Sequence, residues 1–297
     1  MPSKEDRFQG CLLGLAVGDA VGTTLEFLSP GTFEPITDMV GGGPFELEPG
    51  QWTDDTSMAL CLAHSLVFKQ GFDAKDQMNR YCNWWQWGYM SSTGDCFDIG
   101  ATVSTALKRY LDTQNPFSGS VDPFSSGNGS LMRLAPIPMW FSDSHEDAVK
   151  FSGESSRTTH GSEECIDTCR YFGGILYQAL NGGDKDELLT GSIYSPSTPA
   201  IRAIANGEYL HKDKVKGSGY VVESLEAAMW CFAKTENYRD AILLAANLGD
   251  DADTTAAICG QISGAFYGTE GIPSMWLERL CMSEEIKELG QKLFVRA

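Results

Sequence analysis

Four carboxylates in two short runs, Thr53-Asp54-Asp55-Thr56 and Asp251-Ala252-Asp253-Thr254-Thr255, are the residues of this chain best suited to chemistry. Carboxylates mixed with hydroxyls offer only oxygen ligands, which is what hard divalent cations such as Mg2+ or Mn2+ require. A pair of such cations can orient and polarise a substrate. Each run precedes an apolar pattern of helical period and lies near a glycine, Gly50 or Gly249. Ordinary helix N-caps would use the same residue types, because Thr and Asp satisfy free N–H groups and anions suit the positive end of the helix dipole. Either run alone fits that reading, and the two together favour a metal site. Asp251 and Asp253 would face apart inside a helix. At a helix start, where the cap residue is not helical, both can turn to one centre, with Thr254 joining them. Glu26 is a further candidate, as a ligand or as a base on metal-bound water, against the plainer reading of a surface glutamate after a glycine turn.

Ser125-Ser126-Gly127-Asn128-Gly129-Ser130 forms a second constellation, leading into Leu131-Met132-Arg133. A glycine-rich turn opening a helix exposes consecutive N–H groups that can cradle a phosphate without fixed positive charge. A flexible capped turn would look the same locally. His160, in Thr158-Thr159-His160-Gly161, either touches a ligand or caps a helix, and the cap is the commoner case.

The elements that must carry these residues read as helices. Phe8, Cys11, Leu12, Leu15 and Ala16 follow a 3.6-residue period, with Gly14, Gly18 and Gly22 at every fourth place, a row suited to close helix packing rather than dinucleotide binding. Met58, Cys61, Leu62, Leu66 and Val67 continue the pattern behind Asp54-Asp55. Tyr81, Trp84, Trp85 and Trp87 mark one aromatic helix that belongs to the core rather than to a ligand platform. Asp98 is expected to open a helix through Val103, Leu107 and Tyr110. Others are expected over 131–140, 146–157, 163–180, 220–233 and 238–247, with the last strong one after Asp253. Alternating strands, repeats and linkers are missing from the pattern. The expectation is an all-α helical bundle forming one domain over 1–297.

With 297 residues and 42% hydrophobic content the chain can bury a large core. A net charge of −18 disfavours nucleic acid and anionic membrane as partners, yet leaves room for an anionic small ligand met by metals and N–H groups. Nine cysteines, scattered in apolar patterns with no CxxC pair, read as small hydrophobes of a reducing, cytoplasmic protein. The Cys11–Val17 stretch makes a poor signal peptide, with Glu5 and Asp6 before it and Asp19 after it. The sequence offers no apolar run expected to span a membrane.

Gly14-Leu15-Ala16-Val17-Gly18-Asp19-Ala20 with Glu26, then Thr53-Asp54-Asp55-Thr56, then Gly127-Asn128-Gly129-Ser130-Leu131-Met132-Arg133, then Gly249 to Thr255, closely resembles the ADP-ribosylglycohydrolases. Within them the chain is most similar to the bacterial dinitrogenase-reductase-activating branch, from about Asp6 to Trp276. The resemblance implies a compact all-α enzyme with a binuclear Mg2+ or Mn2+ centre that cleaves the C1″ bond of ADP-ribose. It implies Thr53, Asp54, Asp55, Asp251, Asp253 and Thr254 as metal ligands. Glu26 would do acid/base work, and Asp98 would lie beside the scissile bond. Gly127, Asn128, Gly129 and Ser130, with Met132 of the same motif, would bind the phosphates and ribose. His160 and Tyr220 would contact the distal ribose and adenine. Asp250 stands where the bacterial pattern usually has glycine, and Lys212 to Lys216 match no pattern.

The expected partners are therefore ADP-ribose and an ADP-ribosylated protein, met by a monomer. Cleavage through an oxocarbenium-like state needs one group to protonate the leaving atom and another to activate water, and Glu26 and Asp98 share that work in an undecided way. Arginine is the first linkage to expect, with serine, a nucleobase or a polymer ribose as alternatives. A non-catalytic reader or a structural protein of this fold would be expected to lack part of the carboxylate set, which is intact here. A pyrophosphate-cleaving enzyme would differ in its products.

Overall fold

The computed structural model describes residues 2–191 and 193–296. Among them lie fourteen α-helices and no strand. The first seven are α1 (Lys4–Gly22), α2 (Asp54–Lys69), α3 (Ala74–Trp87), α4 (Ala101–Thr113), α5 (Pro136–Trp140), α6 (His145–Arg157) and α7 (Glu163–Leu180). The others are α8 (Lys185–Thr190), α9 (Pro199–Ala205), α10 (Val221–Lys234), α11 (Tyr238–Ala246), α12 (Ala252–Tyr267), α13 (Ser274–Arg279) and α14 (Ser283–Arg296). One apolar cluster draws side chains from Phe8 through Leu293. A second, smaller one packs Tyr81 and Trp84 of α3 against Met58, Leu107 and Met132, while Trp87 remains exposed.

The seam between α1 and α12 organises the molecule. A Cβ on Gly14 would lie 2.4 Å from the carbonyl oxygen of Gly260, and one on Gly18 would lie 2.2 Å from that of Ala256. Gly10 meets Gly264, and Gly22 meets Ala252, in the same way. The two helices therefore run antiparallel with their backbones in contact, as the fourfold glycine row predicts. Nothing larger than hydrogen fits between them. Gly18→Ala must push two backbones apart, and it is expected to cost about 1–3 kcal/mol, read as a lower melting temperature. An unchanged melting temperature would refute the tight seam.

By length and a mean hydropathy of 1.2 the segment Lys4–Leu25 could cross a membrane, contrary to the expectation of no such run. It is 89% buried within the fold, which accounts for its composition as that of a core helix. Two other expectations are corrected. The 131–140 helix is a series of turns followed by only five helical residues, because Pro136 and Pro138 restrict a helix to starting there. Asp98 does not open α4: it has φ of 57°, and the helix starts at Ala101 with Gly100 as its cap. The short helices α8, α9 and α13 have too few turns to show a period; α14 is not among the expected helices, although Ile286, Leu289 and Leu293 give its buried face a helical spacing.

Candidate active site

Because α1 and α12 are antiparallel, the C-terminal end of α1 lies beside the N-terminal end of α12. The N-terminus of α2 joins them: Thr53 Oγ1 donates both to Asp19 Oδ1 of α1 (2.9 Å) and to Asp253 Oδ2 of α12 (3.2 Å). Thr254 Oγ1 lies 3.3 Å from Asp55 Oδ2. Three helix ends thus bring both acidic runs to one point, with Glu26 just past the end of α1.

Six helices use their N-cap side chain on their own first turn, through Ser3, Asp73, Ser144, Ser162, Asp184 and Asn237. Thr53 and Asp251, the cap residues of α2 and α12, do not. The start of α2 is capped from outside instead. Asp19, fully buried in α1, accepts from the N–H groups of Thr53 and Thr56 and from both their hydroxyls, at 2.6–3.0 Å. This frees Asp54 and Asp55 for other work. Sequence reasoning gave Asp19 no role, although a carboxylate amid an apolar buried helix signals one, since such groups are rarely buried without partners.

The carboxylates themselves are under-satisfied. Glu26 Oε2, Asp55 Oδ1 and Asp253 Oδ1 are buried without a hydrogen-bond partner. Among the described residues no Lys or Arg ion pair reaches the cluster. Oxygens of Glu26, Asp98 and Asp253 lie within 4.8 Å of one another. Burial first, and mutual repulsion second, push Asp54, Asp55 and Asp253 far above the usual carboxylate range. Glu26 is pushed up to about 9 by burial and then by Asp98, and Asp98 to about 7 by burial and then by Asp19. Asp251 is raised by burial although the Asn128 amide donates to it at 2.8 Å. Such a group of anions must either take up protons or hold cations. All-oxygen donors with orphaned lone pairs fit a hard divalent cation.

Above the carboxylates lies a cleft of about 470 Å³. Glu26, Asp54, Asp98, Asp251, Asp253 and Thr254 line it, and Gly127, Asn128, Gly129, Met132 and His160 form another side. Thr53 and Asp55 sit behind this surface. The glycine loop is fixed by the segment before α10: Asn128 N–H donates to Gly219 O (3.1 Å), and Val221 N–H donates to Ser126 O (3.0 Å). Among the described residues the N–H groups of Gly129 and Ser130 have no acceptor, which suits an anion. The Ser130 hydroxyl, by contrast, is buried and accepts from Ser156 Oγ at 2.9 Å, so only its backbone can serve a ligand.

His160 props this loop from below. A Cβ on Gly129 would come within 2.9 Å of its ring. Thr159 Oγ1 lies 2.8 Å from its Nδ1, and burial together with Arg133 drives its pKa down to about 3, so the imidazole is neutral. Arg133 is fully buried under the same loop, donating to Gly129 O (2.8 Å) and Thr159 Oγ1 (2.7 Å) and lying over the Tyr81 ring. Tyr220 is not in this cleft. It lines an adjoining hollow of about 510 Å³ with Phe124, and its hydroxyl donates to Glu164 at 2.9 Å.

Asp250 has φ of 62°, a left-handed conformation that glycine adopts freely and aspartate tolerates better than most residues. That explains glycine in the related pattern. Asp250 is among the residues lining the cleft. The basic island is tied down locally, Lys212 to Glu226 and Lys216 to Glu223.

The ADP-ribosylglycohydrolase profile matches residues 1–297. The ADP-ribosylarginine hydrolase Tri1 of Pseudomonas putida (strain GB-1) is 47% identical over 98% of this chain and 79% of its own length. The ADP-ribosyl-[dinitrogen reductase] glycohydrolase of Rhodospirillum rubrum is 31% identical over 96% of this chain and 93% of its own. A solved structure described as an ADP-ribosylglycohydrolase-related protein complex superposes with a TM-score of 0.87 at 40% identity, covering 99% of this chain and 98% of that one.

Proposed function

Since the chain belongs to the ADP-ribosylglycohydrolases and is a hydrolase of that family, we propose that it releases ADP-ribose from modified arginine side chains of proteins. The observation that carries this reading is the junction of three helix ends. There a crowd of carboxylates with three orphaned oxygens adjoins a loop with two free N–H groups. The printed activity of the Pseudomonas relative supports arginine as the linkage.

In this reading Asp54, Asp55, Asp251 and Asp253, with the hydroxyls of Thr53 and Thr254, hold two divalent cations, Mg2+ or Mn2+. Bound there, the cations supply positive charge that anchors ribose hydroxyls and lowers the pKa of water. The Gly129 and Ser130 N–H groups take a phosphate. Arg133 and His160 keep the loop in place, and the adenosine end extends toward Tyr220 and Phe124.

Glu26 and Asp98 act as one unit. A water attacking from the opposite face of the sugar needs about 6.5–9.5 Å between the two carboxyls. Oxygens no more than 4.8 Å apart cannot straddle sugar and water. The pair therefore works on one face and shares a proton, because burial and their mutual charge oppose ionising both. That proton goes to the departing guanidine nitrogen or comes from the attacking water. The site is complete within one chain, which supports a monomer, and nine free cysteines support a reducing, cytoplasmic setting.

Mass spectrometry of products from arginine-, serine- and thymidine-linked ADP-ribose tests the proposal. With Mg2+ or Mn2+ present, free ADP-ribose is expected from the arginine substrate, and EDTA is expected to stop its release. AMP together with phosphoribosyl-arginine would show pyrophosphate cleavage instead and overturn it.

A further inference from the structure

Three phenylalanines form a chain of ring contacts that begins at the cleft, where Phe27 lines it. Phe27 follows Glu26, Phe97 precedes Asp98, and Phe45 comes from the intervening loop to join them. The Phe27 and Phe45 ring centroids are 6.4 Å apart at 72°, and those of Phe45 and Phe97 are 5.2 Å apart at 57°. None of the three belongs to either apolar core cluster or packs against one. Phe27 is 66% exposed, lines the cleft, and is held at φ of 63° by its N–H bond to Asp250 O at 2.7 Å. A bulky residue in the left-handed region is strained, and an exposed ring recovers little from burial. Folding alone gives no reason for this arrangement.

The arrangement does suit a cation. Ring faces attract a planar guanidinium, and Asp98 and Asp250 line the same cleft with carboxylates for its N–H groups. Neither feature would help a small hydroxyl leaving group. We propose that Phe27, backed by Phe45 and through it by Phe97, forms the leaving-group subsite, taking the guanidinium and aliphatic stem of the modified arginine and so setting linkage specificity. This rests on the arginine reading above.

The test uses the metal-loaded full chain, a peptide carrying ADP-ribosylated arginine, and free ADP-ribose. Phe27→Leu keeps bulk but loses the ring face, and it is expected to lower kcat/KM on the peptide about tenfold. Affinity for free ADP-ribose, which lacks the guanidine, is expected to stay at the wild-type value, showing an intact fold. Phe27→Trp is expected to restore activity, and Phe27→Leu with Phe97→Leu to lose more than either alone. Wild-type kcat/KM in Phe27→Leu, or an equal loss of ADP-ribose affinity, would overturn the subsite alone. A wild-type protein that binds ADP-ribose but never releases it from the peptide would overturn the arginine reading and the subsite with it.

Discussion

Asp253→Asn is expected to abolish hydrolysis while making the chelator-treated protein more stable than the wild type. Changes in groups that merely orient metal ligands already cost about 10–100-fold, so losing a ligand carboxylate should exceed about 100-fold. The stability gain has a separate cause. Asp253 is 1% exposed, with one oxygen accepting only from Thr53 and the other orphaned. Burial and then the charges of Glu26, Asp55, Asp251 and Asp98 all oppose its ionised form. Asparagine has the same shape, removes the charge, and can donate its N–H groups to the surrounding carboxylates. A melting temperature in EDTA that rises while activity falls is the signature of a site kept for function at the expense of the fold. Retained activity would exclude Asp253 as a ligand, and a lower melting temperature would refute the electrostatic account.

Asp19→Ala is expected to do the opposite to stability, though both aspartates are buried. Asp19 is saturated by four donors, and its removal strands the N–H groups of Thr53 and Thr56 at the start of α2. Hydrogen bonds to a charged acceptor contribute about 1.5–3 kcal/mol each, non-additively, so a loss of at least about 3 kcal/mol is expected by urea denaturation. Activity is expected to fall as well, because Thr53, Asp54 and Asp55 lose the anchor that aims them. Asp19→Asn should lie between the two, since its amide nitrogen would face donors where an acceptor is needed. Urea curves coinciding with wild type would show that α2 needs no external cap.

Much of this architecture was legible in local pattern. The fourfold glycine row specifies a backbone-to-backbone seam, and the structure supplies its partner in α12. The helix over 163–180 is read correctly because Ser162 caps it and its apolar face is continuous. Most long helices were visible for the same reason, whereas α8, α9 and α13 are too short to display a period; α14 is the exception, a long helix with a helical apolar spacing that was not read. The acidic runs were ambiguous between cap and ligand because both uses need the same atoms. Only the side-chain partners separate them, and Asp19, the decisive partner, comes from another helix. Ser130 and His160 show the same limit, since whether a side chain points to a ligand or supports a loop depends on what lies behind it. The aromatic trio was invisible, because Phe27, Phe45 and Phe97 meet only after the chain has folded.

The antiparallel seam also orders events in time. Thr53 and Asp253 are 200 residues apart, and the helix carrying Asp253 is the partner that α1 needs. At ribosomal speeds of about 5–20 residues per second, roughly 10–40 s separate the synthesis of the first acidic run from that of the second. Throughout that interval the glycine face of α1 has no mate, and Asp54 and Asp55 stand without Asp253. The growing chain therefore carries no assembled cluster able to capture a metal while most of it is still being made. Catalytic competence therefore arrives late in translation, once α12 has been made and can pack against the glycine face of α1.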